Sequence, residues 1–414
     1  MRVTHLSLGD YRNYATAEVS LQTGLNLIVG RNGQGKTNLV EAIAYFARLS
    51  SHRVTGDTAL IRAGQDAAVA RMRVAVADRD VLLEVQINKG KPNRAQINRN
   101  SARPRDLTRW FSCVVFAPED LSLVRGEPSI RRRFLDEAVV ARNPAFAATL
   151  NDYDRVVKQR TALLKSARIT SNRSAVDATL EVWNEQLIDL GVTIMLARRS
   201  LVRSLAGPLR SGYFSIVEHD HAPTMQLTES VGQCLADSHV SRETMHFEQD
   251  MSVLPGGEEV VPAPQPTGDS VDVSRETLIA EFRAALELMR RQEYERGVTL
   301  LGPHRDDVLF ELNGLPVKGF ASHGESWSFA LALRMALATL LRDESVVGDP
   351  VIILDDVFAE LDARRRAALM HQVSQFEQVL VTAAVEEDVP PGEWHRVYIE
   401  AGAVVGAGMG HDES

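Results

Sequence analysis

The sequence predicts an α/β protein of two domains, in which a helical domain interrupts a sheet-based one. Three observations carry that prediction. Residues 25–29 form an apolar run that enters Gly30-Arg31-Asn32-Gly33-Gln34-Gly35-Lys36-Thr37, a complete Walker A loop set between a strand and a helix. A second apolar run, residues 351–354, ends in Asp355-Asp356 more than three hundred residues later. Between the two lie long stretches whose apolar residues recur at steps of three and four.

The elements follow in chain order. Residues 3–8 alternate in the manner of a strand, and Arg2 and His5 beside them do not suit a signal peptide. In the Walker A loop, glycines at 30, 33 and 35 let successive N–H groups face phosphates, and the following helix adds its positive end. Lys36 would reach the β- and γ-phosphates and Thr37 would hold Mg²⁺, so residues Gly30, Arg31, Asn32, Gly33, Gln34, Gly35, Lys36 and Thr37 are candidate nucleotide ligands. Leu39, Ile43 and Phe46 give the helix one apolar stripe. Residues 81–87 read as a strand of an antiparallel flank.

Lys89, Lys91, Arg94, Arg99, Arg103 and Arg105 lie in a polar stretch around a hairpin. They are candidates for DNA phosphate contacts, which carry no sequence preference. Arg131, Arg132 and Arg133 form a second basic group, but Glu127, Asp136 and Glu137 close by could pair with them inside a helix. Further on, Phe146, Leu150, Tyr153, Val157 and Leu164 keep helical spacing, as do Leu180, Trp183, Leu187, Leu190, Ile194, Ala197 and Leu201, and Ile279, Phe282, Leu286 and Met289. These stripes fit a short coiled-coil-like arm or a globular helical lobe. The expected organisation is a sheet domain from residues 1–140 and 295–400, a helical domain from 141–294, and a frayed tail at 401–414.

Residues 214–275 hold 11 acidic and 2 basic side chains, with Pro255-Gly256-Gly257 and Pro262-Ala263-Pro264-Gln265-Pro266, and read as an insertion with a flexible or disordered stretch. His219 and His221 have no accompanying ligand cluster, so a metal site there is not expected. Ser322-His323-Gly324-Glu325 opens a stretch rich in Ala and Leu. Such a start can present a hydroxyl and backbone donors to an anion, or be an ordinary serine cap. In Asp355-Asp356, the first carboxylate would bind Mg²⁺ or its water and the second would accept a proton from the attacking water. Val357-Phe358-Ala359-Glu360-Leu361-Asp362 follows directly.

The order Walker A, Ser-x-Gly-Glu, strand ending in Asp-Asp, Glu-Leu-Asp resembles an ABC-type ATPase head. The resemblance narrows to the RecF family of recombinational repair proteins, relatives of the heads of SMC proteins and Rad50. It rests on Asp10-Tyr11-Arg12-Asn13-Tyr14, Asn38-Leu39-Val40-Glu41-Ala42-Ile43, Ser51-His52-Arg53, Phe116-Ala117-Pro118-Glu119-Asp120-Leu121 and Arg131-Arg132-Arg133-Phe134-Leu135-Asp136. Gln159-Arg160 and Gly302-Pro303-His304-Arg305-Asp306-Asp307 extend it along the chain. The signature departs from the family's usual Ser-Gln-Gly-Gln-Gln-Arg at His323, Glu325, Ser326 and Trp327. Thr382 stands where ABC ATPases carry a switch histidine, and no Q-loop glutamine is evident near Glu119.

The resemblance implies an ABC-type head with an antiparallel β flank and a helical second domain. It also implies ATP and Mg²⁺ as cofactors, Lys36, Asp355 and Asp356 as the catalytic set, Thr37 and Asp355 as metal ligands, and slow hydrolysis because aspartate replaces the more common glutamate at 356. Two molecules would sandwich ATP, with Ser322 and Gly324 of each reaching the other's nucleotide, Arg12 on a phosphate and Asp362 near the dimer interface. The implied partners are gapped DNA, a second copy of the chain and mediators of the RecO and RecR kind.

Composition agrees with these expectations. The chain has 414 residues, 44% hydrophobic and 24% charged, enough for a substantial core. Two cysteines make no disulfide framework and suit a reducing cytoplasm, and no apolar run approaches the ~20 residues that span a bilayer. The net charge of −9 hides an asymmetry: residues 1–213 carry 32 basic and 20 acidic side chains, and the remainder 14 and 35. A basic first half can hold DNA although the whole is acidic. The competing expectation is an ABC-type ATPase subunit of a protein machine that never meets DNA.

Overall fold

The computed structural model describes residues 1–51, 53–54, 56–167, 173–238, 273–345 and 348–409. The chain divides into two compact units, one from residues 1–144, 201–225 and 310–414, the other from 145–200 and 226–309. Residues 201–225 therefore group with the sheet unit rather than with the helical stretch expected at 141–294.

The first unit contains two six-stranded sheets. One is antiparallel and comprises β1 (Arg2–Tyr11), β2 (Tyr14–Ser20), β4 (Ala67–Val76), β5 (Arg79–Asn88), β6 (Arg94–Ile97) and β7 (Asn100–Ala102), in the order β2-β1-β4-β5-β6-β7. Its strands alternate as a sheet with one buried face must: Ala68, Ala70, Met72 and Val74 of β4, and Val81, Leu83, Val85 and Ile87 of β5, all point into the core. The strand expected at 81–87 thus lies in the antiparallel flank.

The other sheet comprises β3 (Gly24–Val29), β8 (Cys113–Phe116), β12 (Val351–Asp355), β13 (Gln378–Ala383), β14 (His395–Glu400) and β15 (Ala403–Met409). Its order is β15-β14-β3-β13-β12-β8, and only the β14–β15 pair is antiparallel. Every residue of β12 and β13 is buried, the mark of central parallel strands covered on both faces. Helix α1 (Lys36–Arg48) buries Leu39, Ile43 and Phe46 completely. Together with the inner faces of both sheets they form one continuous core.

Strand β15 corrects the frayed tail expected at 401–414. Ala401 and Gly402 both have positive φ, the backbone of a tight two-residue hairpin turn, and they return the chain along β14. Residues 410–414 lie outside the described residues. The first part of the acidic segment has regular structure: Thr224–Thr228 is strand β9, which joins β10 (Asp307–Leu312) and β11 (Leu315–Pro316) in a three-stranded sheet, and residues 230–238 are helical. Its proline-rich part falls in residues 239–272, outside the described ones. His221 Nδ1 bonds the Tyr213 hydroxyl at 3.0 Å, and no group of three metal-ligating side chains occurs among the described residues.

The second unit is built from the helix Phe146–Ala167, part of the helix Arg173–Val217, and the helix Arg275–Arg296. Tyr153, Val156, Leu187, Ile188, Val192, Ile194, Phe282 and Leu286 share a core of its own. The helices approach closely at Gly191, where an added Cβ would stand 2.7 Å from the Phe282 ring. Arg160 and Glu293 are each about 1% exposed and bonded at 2.6 and 3.0 Å, with Asn184 and Thr299 taking further guanidinium donors. The phrase Gly302 to Asp307 is a polar knot of this unit: His304 bonds Tyr153 at 2.8 Å, and buried Asp306 accepts from Ser230 N and Oγ at 2.9 Å. Burial raises the Asp306 carboxyl above its ordinary range.

Candidate phosphate site and signature turn

Strand register explains how motifs so far apart in sequence meet. Strand β13 lies between β3 and β12, with Val29 opposite Ala383 and Asp355 opposite Thr382. All three strands run in the same direction, so the Walker A loop, Thr382 and the Asp355-Asp356 pair leave the sheet at its carboxyl edge, where doubly wound sheets place ligands.

The loop is shaped by its glycines. Gly35 has φ 119°, and a Cβ there would meet Asn13 Nδ2 and the Tyr14 hydroxyl at 2.7 Å. Asn13 Nδ2 donates to Gln34 O at 2.9 Å and Tyr14 OH to Gly35 O at 3.0 Å, which fixes the loop from outside. Gly30 has a different reason: a Cβ would come within 2.5 Å of the Ile399 carbonyl oxygen on β14. Gln34 Oε1 accepts from Ala401 N at the hairpin turn. Arg31, Asn32 and Gly33 are exposed at the loop's tip.

Lys36 is buried, and its ammonium donates to Gly30 O at 2.6 Å and lies 3.3 Å from Asn32 Oδ1. Burial lowers its pKa, while Asp356 and Asp355 oppose that effect. Thr37 Oγ1 donates to Asp355 Oδ1 at 3.1 Å. Asp355 is buried, and desolvation pushes its carboxyl up to about 6 despite hydrogen bonds from Thr382 and Thr37. A hydroxyl and a carboxylate oxygen meeting at a part-buried spot are the donor types that a hard divalent cation takes, so Thr37 and Asp355 fit Mg²⁺.

Asp356 adopts φ 56° and is half-buried, with its N–H donating to Thr382 Oγ1 at 2.9 Å. The same hydroxyl donates to Asp355 Oδ1 at 2.7 Å. The residue that stands in place of a switch histidine therefore aligns both aspartates. Sequence reading noted Thr382 but gave it no role. Arg53 and Glu119, present in the family phrases but given no place at the site, act on Asp355 in opposite senses. Glu119 follows β8, the strand next to β12, and only that adjacency shows it.

Arg12, the proposed phosphate contact, forms a bidentate pair with buried Glu41 at 2.7 and 2.8 Å. That pairing raises its pKa further. It adjoins Asn13, which touches the Walker A loop.

Ser322 caps the helix His323–Glu344. Its Oγ accepts from Glu325 N at 3.2 Å, and Glu325 Oε2 accepts from Ser322 N at 2.8 Å, a complete capping box. Trp327 is buried, so the position where the family has an arginine faces the core here rather than a nucleotide. Asp362 caps the helix Ala363–Val373.

The six basic residues Lys89, Lys91, Arg94, Arg99, Arg103 and Arg105 are all exposed along β5 to β7 and the turns around them, and none forms an ion pair among the described residues. Arg131 is a correction. It is buried, with Nη1 on the Gly126 carbonyl at 3.0 Å, and is not available to DNA. Arg132 is half-buried, and Arg133 is exposed.

The family model described as RecF/RecN/SMC N terminal domain matches residues 2–393. A protein of Leifsonia xyli subsp. xyli, named DNA replication and repair protein RecF, is 53% identical over 408 residues, covering 98% of this chain and 99% of that protein. One of the same name from Streptomyces avermitilis is 46% identical, covering 94% and 95%. Among solved structures, a recombination mediator protein RecF-ATPrS in the RecFOR pathway aligns with TM-score 0.80 at 23% identity over 97% of each chain. An Smc head bound to the C-winged helix domain of ScpA aligns with TM-score 0.52 at 11% identity, covering 100% of this chain and 98% of that one. The fold is that of RecF and SMC ATPase heads.

Proposed function

The chain belongs to the RecF family, and from that premise we propose that it is an ATP-dependent DNA-binding protein of recombinational repair and replication-fork maintenance. It acts at single-strand gaps, helps load a recombinase with mediators of the RecO and RecR kind, and serves the SOS response in the cytoplasm. The observation that supports this reading most is the convergence of Lys36, Thr37, Asp355, Asp356 and Thr382 at the ends of three adjacent strands.

In this mechanism residues 30–37 would wrap the phosphates, Lys36 would leave the loop carbonyls for the β- and γ-phosphates, and Thr37 and Asp355 would hold the metal. Bound Mg²⁺·ATP supplies the transferable phosphoryl group and the charge that draws two copies together. Asp356 accepts the proton of the attacking water, and Thr382 keeps it in place. Ser322 and Gly324 contact the nucleotide of the second copy, and Arg12 exchanges Glu41 for a phosphate. Hydrolysis, slow and stimulated by DNA, opens the dimer. DNA lies along the exposed cluster from Lys89 to Arg105, through its backbone and without sequence preference.

Light scattering with no nucleotide, ATP or ADP, with and without a gapped duplex, tests the reading. We expect a dimer only with ATP, retained on DNA, and its loss in Ser322→Arg with ATP binding to the monomer kept. A monomer indifferent to ATP and DNA would instead support a subunit of a DNA-free protein machine.

A further inference from the structure

Gly324 lies in ordinary helical backbone, so no left-handed turn requires a glycine there. An added Cβ would stand 2.8 Å from Arg365 Nη2 and 3.0 Å from Nη1. The guanidinium of Arg365, the far end of a flexible side chain, would have to move aside for any side chain at 324. On its other side, Arg365 Nη1 pairs with Asp362 Oδ2 at 3.2 Å, and its own N–H donates to Asp362 Oδ1 at 2.9 Å. One half-buried cation thus bridges the signature turn and the turn that follows the catalytic aspartates. Glu325 shows the same proximity: Ser322 lowers its pKa most, and His221 and Arg365 add to that effect. His221 Nδ1 lies 3.9 Å from Glu325 Oε1 and also bonds Tyr213.

We propose that Arg365 is a positioning residue that sets the signature turn for the second copy's nucleotide, by filling the side-chain space of Gly324 while anchored on Asp362. The proposal rests on the ATP-dependent dimer described above. A guanidinium suits the task because its flat face can cover a glycine while one edge holds a carboxylate. It also offsets the negative charge of Glu325, which stands three residues from the serine meant to meet a phosphate. Because Asp362 follows Asp356 by only six residues, a shift at the catalytic pair is carried through Asp362 and Arg365 to Gly324. The signature turn offered to one nucleotide is in this way tied to the aspartates that act on the other.

The test is a double-mutant cycle of Arg365→Gln and Gly324→Ala, read as the ATP concentration needed for half-dimerisation in light scattering, beside monomer ATP affinity. Each single change should raise that concentration at least tenfold with monomer affinity unchanged, and the double should be no worse than the worse single. Unaltered dimerisation in Arg365→Gln, or losses that multiply, would overturn the proposal. Gly324→Ala keeps the test decisive if Arg365→Gln disturbs the cap of the following helix. If the unmodified protein fails to dimerise with ATP, the functional reading fails first and the two failures are distinguished.

Discussion

Asp355 shows what one residue gives up for a nucleotide site. Its carboxyl is raised from the ordinary value near 4 to about 6, so the folded protein holds that proton more tightly than the unfolded chain does. The sign follows from linkage: this group's contribution is most favourable below about pH 4 and is lost as pH rises through about 6. Above that, the nucleotide-free protein bears a cost of at most about 3 kcal/mol. Asp355→Asn should therefore stabilise the nucleotide-free protein by up to that amount at pH 7.5 and by about half as much at pH 5, while abolishing hydrolysis. Denaturant unfolding at both pH values checks this, and an equal change at the two would refute it. At this scale the sequence displayed Lys36, Thr37 and both aspartates because their spacing is itself a motif. It did not display Thr382, Glu119 or Arg365 as partners, since each acquires its neighbour through register or a crossing helix. For Arg131, Arg132 and Arg133 the sequence left DNA contact and pairing within a helix both open, because a run of basic letters does not say which one the helix turns inward.

Among elements, the strands and helices with strong periodicity were legible. Val81, Leu83, Val85 and Ile87 alternate, and Leu39, Ile43 and Phe46 recur by helical steps, and each set is buried as its period requires. The terminal hairpin was lost because its Gly-rich strand lacks β-branched residues at most positions, and the turn at Ala401-Gly402 was taken for fraying. Arg160 was hidden within an apolar stripe. The stripe expected through Phe146, Leu150, Tyr153 and Val157 packs on the core of the second unit, and the line of buried residues beside it, Tyr153, Val156, Arg160 and Leu164, includes a charge. Removing one member of a buried ion pair leaves the other's charge uncompensated, so Arg160→Leu, which leaves Glu293 the Leu300 N–H at 2.8 Å in place of a guanidinium, should cost about 3–5 kcal/mol. A melting-temperature loss no larger than that of a surface substitution would show that Glu293 finds other donors.

For the molecule as a whole, charge asymmetry was the most useful and least specific signal. The six exposed cations between Lys89 and Arg105 have no acidic partners among the described residues, so they are available to a polyanion. Replacing Lys89, Lys91 and Arg94 by glutamate should weaken duplex binding at least tenfold and flatten the dependence of log affinity on log salt by about three phosphate contacts. Fluorescence anisotropy across a salt series measures both, and an unchanged slope would move DNA to another face.

The strand order β3-β13-β12 has a consequence for how the protein is made. Val29 leaves the ribosome early, yet its neighbour in the sheet, Ala383, is synthesised 354 residues later. At about 5–20 residues per second, the first strand waits roughly 20–70 s for the one that will lie beside it. Throughout that interval the Walker A sequence has no sheet to stand on, so a nascent or truncated chain carrying the whole motif should be inert to nucleotide. Pairings this distant are also slow to close. ATP can therefore act as a late ligand that selects finished molecules, and not as a template on which the head is assembled.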